Sequence, residues 1–99
     1  MNTAALTASI HERMPLCQTL GIEAFTLSKD EVVFSMNWDA SLTTGNNILH
    51  GGAIMALADA TGAAVASANL PADAIGTSTI ESKTNFLGAV NDGTVIATA

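Results

Sequence analysis

One stretch governs what this chain can become. From Gly51 to Leu70 the sequence reads GGAIMALADATGAAVASANL, with eight alanines, a single charge at Asp59 and Pro71 as a stop. Alanine is the strongest helix former, and a helix apolar on all sides is stable in water only when other elements cover it. The length approaches a membrane span. However, Ala, Gly, Ser and Thr are weakly apolar, and a central Asp costs roughly 3 kcal/mol in lipid. The segment therefore predicts a long helix wrapped by protein.

The flanking elements are legible from their periods. Leu6, Ile10 and Met14 recur every four residues, so Thr3–Met14 reads as an amphipathic helix stopped by Pro15. Pro15–Leu20 adds one turn, ended by Gly21 at the position after the cap. Ile22–Ser28 and Glu31–Trp38 predict a hairpin around Lys29-Asp30, with Val32, Phe34, Met36 and Trp38 on one face. Phe34 and Trp38 are assigned to the core. Asp39–Leu49 is a polar connector without periodicity. Ile75–Val90 reads as a long extended segment, polar on both faces, of the kind found at an edge or an interface. Asn91-Asp92-Gly93 marks a turn, and Thr94–Ala99 begins another strand. The order predicts one α+β domain over residues 1–99, an antiparallel sheet around a long central helix.

Composition narrows the function classes. Three Lys/Arg against nine Asp/Glu give a net charge of −6. Arg13, Lys29 and Lys83 are too few and too scattered to neutralise phosphates along a nucleic acid, and an anionic membrane surface would repel the chain. A lone Cys17 forbids an internal disulfide, and no ligand cluster points to a metal. No secretory leader pattern is visible, which makes the cytoplasm the default compartment. Cys17 reads as a small buried thiol, and His11, beside Glu12 and Arg13, as a solvated side chain. The chain is 48 % apolar and 12 % charged, unusually greasy for a domain this small. Burial against copies of itself is the expected consequence.

Asp59 is the strongest candidate for chemistry. Its neighbours at helical spacing are Met55, Ala56, Gly62 and Ala63, mostly small, and no cation lies nearby on the helix. A carboxylate buried there suits general-base or nucleophilic work. The alternative is a buried Asp held by Ser or Thr hydroxyls, including that of Thr61. His50-Gly51-Gly52 opens the same helix, where unpartnered N–H groups and the positive end of the dipole can polarise a carbonyl. The alternative there is an ordinary glycine pair with His50 as a cap. Gly52 and Asp59 are seven residues apart, about 10.5 Å along one face. Both can act on one carbonyl only if a second copy brings its Asp59 to the first copy's Gly52, as antiparallel helices across a twofold would do.

The run NILHGGAIMALAD, Asn47 to Asp59, resembles the signature of the hotdog-fold acyl-CoA thioesterases, especially the phenylacetic-acid-degradation and 4-hydroxybenzoyl-CoA branch. In that branch HGG opens the central helix and an acid follows nine residues after the His, as Asp59 follows His50. The resemblance extends from about Leu20-Gly21-Ile22 to Thr84-Asn85-Phe86-Leu87. It implies a curved sheet around the helix and a homodimer or dimer of dimers with sites between subunits. It implies an acyl-CoA or aryl-CoA substrate and no cofactor. Asp59 would be the base or nucleophile, the Gly52 N–H would polarise the thioester carbonyl, and His50 would orient the loop. Gly51, Thr44, Asn46, Asn47, Thr77, Thr79 and Lys83 are the corresponding substrate-binding candidates. Thr79 is favoured over Thr77 as the polar group on a partner strand, although it could equally be an ordinary strand threonine. Thr44 stands where the family often has Gln or Asn.

The resemblance also implies two strands beyond Thr94–Ala99, so the hotdog domain is expected to be incomplete at its C-terminus. Ile54, Leu57 and Val65 would then lack cover. Coenzyme A carries several phosphate charges, and Lys83 and Arg13 are the only contacts this sequence offers them. A hotdog dehydratase or hydratase, and a non-catalytic acyl-CoA-binding module, remain as alternatives.

Overall fold

A computed structural model describes residues 1–99. Helix α1 (Thr3–Arg13) starts on Asn2, whose side chain accepts the Ala5 N–H at 2.8 Å, the usual way a first turn satisfies an orphan donor. Pro15 ends it and opens α2 (Pro15–Thr19). Beyond Leu20 the backbone turns at Gly21, whose φ of 68° is the left-handed conformation that glycine adopts without strain.

Strands β1 (Glu23–Leu27) and β2 (Val32–Asn37) form the antiparallel hairpin, with an irregularity between Ala24 and Thr26. On β2, Val32, Phe34 and Met36 are fully buried, as their alternation requires. Trp38 is only half-buried, and its indole N–H donates to the Asn47 carbonyl at 2.8 Å. The connector holds a 3₁₀ turn, Ala40–Leu42, and a second turn, Gly45–Asn47, in which Asn46 and Asn47 are left-handed. Asp39 accepts from the Ser41 N–H and hydroxyl at 2.8 and 2.6 Å, which holds its carboxyl below the usual carboxylate range.

Helix α3 (Gly51–Ser67) packs on β2 and on β3 (Thr94–Thr98), and α1 packs on β1. The sheet order is β1-β2-β3, antiparallel throughout. Ile10, Cys17, Ile22, Phe34, Met36, Leu49, Leu57 and Ala60 meet in one core. Asn69 ties the end of α3 to the hairpin turn, its amide donating to the Lys29 carbonyl at 2.8 Å.

Four expectations are corrected. The segment 75–90 joins no sheet, and the hydrogen bond from the Leu49 N–H to the Val90 carbonyl anchors only its end. A strand needs a neighbour for its backbone groups, and the outer edge of β3 faces no strand here. Helix α3 is covered on one face rather than all round: Leu57, Ala60 and Thr61 are buried, while Met55 is exposed. Leu57 keeps its cover, because it points at β2 within the core; Ile54 and Val65 are half-buried. His11 is not simply solvated, since its Nε2 lies 2.7 Å from the Ile22 carbonyl oxygen and links α1 to the start of β1. No helix is long and apolar enough to cross a membrane.

Candidate active site

Asp59 lies on α3 away from Leu57 and Thr61: it is two residues, about 200°, from both, and so projects on nearly the opposite side of the helix from them. It is exposed, not buried as the sequence suggested. Its partner is Thr79, whose hydroxyl donates to Asp59 Oδ1 at 2.5 Å, while Oδ2 has no partner. The hydroxyl of Thr61 is not available to Asp59, because it donates to the Leu57 carbonyl at 2.7 Å. Of the two candidate threonines, it is therefore Thr79 that reaches the acid, and within one chain.

The carboxylate separates two cavities. On one side is a polar trough of about 250 Å³ between α3 and residues 77–82, lined by Thr77, Ser78, Thr79, Glu81 and Ser82. On the other is a cavity of about 260 Å³, apolar except for Asp59 itself, between α3 and α2. The two cavities differ in polarity, so a molecule lying across Asp59 would meet polar groups on one side and apolar ones on the other.

The N-terminus of α3 lies two turns away. His50 is its cap, and His50 Nδ1 accepts the Gly52 N–H at 2.8 Å. The Gly52 amide is thus already engaged, and the Gly51 N–H is the first-turn donor without an acceptor. The Phe86 ring covers Gly51, lying 3.2 Å from where a side chain would begin. His50 and Gly52 line a separate cavity of about 340 Å³ that shares Leu16, Leu20 and Ala56 with the apolar one.

The remaining candidates divide. Thr77 lines the trough with Asp59. Thr44 closes the connector turn, its N–H donating to the Ile48 carbonyl at 2.8 Å, and it lines neither cavity beside Asp59. Asn46 and Asn47 shape the turn before β-bridge residue Leu49, and neither lines a cavity with Asp59. Lys83 is exposed and follows directly on Ser82 at the end of the trough. No group of three potential ligands is placed to hold a metal ion. Sequence reasoning did not anticipate that α2 and Met14 line the apolar cavity beside Asp59. The only hint was their apolar spacing, which reads as core.

The model of the thioesterase superfamily matches residues 46–99, more than half of the chain and the part that carries both His50 and Asp59. The chain belongs to that superfamily. Solved structures agree on the fold. A thioesterase of Haemophilus influenzae is 26 % identical with a TM-score of 0.75, over 90 % of this chain and 65 % of its own. A conserved protein of Pseudomonas aeruginosa is 26 % identical with a TM-score of 0.76, over 84 % and 66 %. The E. coli PaaI protein of the phenylacetic acid degradation operon shares the fold at 22 % identity and a TM-score of 0.79, over 95 % and 66 %. The sheet packed against α3 is thus the hotdog arrangement, and the chain spans about two thirds of the length of these structures. No curated protein sequence matches the chain.

Proposed function

We propose that the chain hydrolyses an acyl-CoA or aryl-CoA thioester at Asp59. The observation that carries this reading is the carboxylate held by Thr79 between a polar trough and an apolar cavity. Asp59 Oδ2 either takes a proton from water as the water attacks the thioester carbon, or attacks that carbon itself. In both cases the C–S bond breaks, the thiol leaves with a proton, and water completes the carboxylic acid. The oxygen of the carbonyl needs a donor, and the unengaged Gly51 amide suits it better than Gly52. His50 acts indirectly, holding the Gly52 N–H and so the shape of the first turn.

Gly51 and Asp59 of one α3 are too far apart to meet on one carbonyl. A homodimer, or a dimer of dimers, with antiparallel helices joins one copy's Asp59 to the other's Gly51. The phosphates of coenzyme A meet Lys83 at the end of the trough, with so few cations that binding is weak and sensitive to salt.

The test is release of free thiol from a panel of acyl-CoA and aryl-CoA esters by the protein and by Asp59→Asn. The expected result is hydrolysis that the substitution removes. Hydrolysis that survives Asp59→Asn overturns the assignment, and an enoyl product would indicate the dehydratase instead. One observation favours a non-catalytic acyl-CoA-binding module, namely that the Gly52 amide is already engaged. Binding without turnover, unchanged by Asp59→Asn, decides for that reading.

A further inference from the structure

The apolar cavity beside Asp59 has an end wall. Cys17, Leu20 and Ile22 form one side and Ala60 of α3 the other, with Met14 and Ala63 as further lining. Beyond lies a second cavity of about 480 Å³, reaching Arg13, Leu27 and Ala68. Met14 and Ala63 line both, so these two side chains form the partition. Met14 sits at the corner between α1 and α2, half-buried, with its backbone fixed by an N–H bond to the Ile10 carbonyl at 2.8 Å.

From this geometry we infer that the cavity receives the acyl group of the substrate and that Met14 sets its length. The inference rests on the thioesterase reading above and names its substrate class. A cavity of about 150 Å³ accepts the six carbons of benzene. By the same scale the 260 Å³ here holds roughly ten carbons, a compact aryl, arylacetyl or medium-length acyl group. A long fatty-acyl chain exceeds this volume, and the space of the second cavity lies behind the partition. The lining offers such a chain no hydrogen-bonding group apart from Asp59, so selection is by volume.

The experiment compares kcat/KM for acetyl-, hexanoyl-, phenylacetyl- and hexadecanoyl-CoA in the protein, in Met14→Ala and in Ala63→Leu. One methylene in an apolar pocket is worth about 10–200-fold in discrimination. Met14→Ala joins the two cavities and is expected to raise the hexadecanoyl-to-hexanoyl ratio at least tenfold. Ala63→Leu fills the cavity and is expected to lower the hexanoyl-to-acetyl and phenylacetyl-to-acetyl ratios by a similar factor. If Met14→Ala fails to fold, Ala63→Leu alone decides, because Ala63 is only half-buried. Equal rates on hexadecanoyl- and hexanoyl-CoA in the unaltered protein, or ratios that the substitutions leave unmoved, overturn the inference. If no ester is hydrolysed, it is the thioesterase reading that fails. The cavity is then judged by titrating methyl-labelled protein with phenylacetate. A shift of the Met14 methyl resonance that Ala63→Leu abolishes upholds the cavity as an acyl site, and no shift overturns it.

Discussion

Thr79 and Asp59 are twenty residues apart in the chain and one hydrogen bond apart in space. A hydrogen bond to a charged group contributes about 1.5–3 kcal/mol. Thr79→Val is therefore expected to lower kcat roughly 10- to 100-fold while KM stays nearly constant, since the hydroxyl orients the acid rather than gripping the substrate. Thr79→Ser should restore most of the rate, and steady-state kinetics of the two variants separate positioning from a structural defect. The spacing of His50 and Asp59 made both residues visible in the sequence. The exposure of Asp59 was not, because an Ala-rich helix gives no sign of which side the sheet will cover. The resemblance put the carbonyl-polarising role on Gly52, and it is the engagement of that amide by His50 Nδ1 that moves the proposal to Gly51. Cys17 behaves as its apolar setting predicts: burial pushes its thiol above the usual range. A raised folded value means that the linked stability is intact below the unfolded thiol's titration and is lost as pH rises through the folded one. Alkylation by iodoacetamide at pH 8 should accordingly be slow in the native protein and fast in urea.

Among the elements, the hairpin and α3 were legible because each carries its own period, while 75–90 was not. Its alternation of Thr77, Thr79, Glu81, Lys83 and Asn85 resembles a strand, but alternation describes side chains and a strand is made by backbone partners. Strand β2 has such partners on both sides, β1 and β3, and its inner face is the centre of the core. Phe34 is completely buried between sheet and helix. Phe34→Ala removes that ring and leaves a cavity, a change that costs about 3–5 kcal/mol in comparable cores. For so small a domain this is much of the total stability. Urea unfolding followed by Trp38 fluorescence should show a large fall in midpoint, or no folded baseline at all. A small change would mean that the core is organised around some other contact than the β2–α3 packing.

At the scale of the whole molecule, the surface argues for partners. A folded monomer of this mass exposes about 5,200 Å² on the usual scaling, whereas this chain exposes 6380 Å². Its radius of gyration, 13.8 Å, likewise exceeds the roughly 12.6 Å of a closely packed domain of this length. Ile75, Ile80 and Leu87 are almost fully exposed, and Ile96 on β3 largely so. Apolar surface of this extent favours self-association. Whether association also completes the site is decided by mixing two inactive variants. Gly51 is the first residue of α3, where proline is tolerated, and the preceding His50 already has the extended backbone that proline demands. Gly51→Pro therefore removes one amide donor and spares the helix, the exposed Phe86 ring moving aside by a few tenths of an ångström for the new side chain, while Asp59→Asn removes the acid. In a hybrid dimer with shared sites, one site combines the intact Gly51 of one copy with the intact Asp59 of the other, and the second site has neither. With random exchange half of the dimers are hybrids, so activity should return to about a quarter of the unaltered protein's. Each variant alone should stay inactive. If each site lies within one chain, every chain in the mixture still lacks one group, and no activity returns however long the subunits exchange.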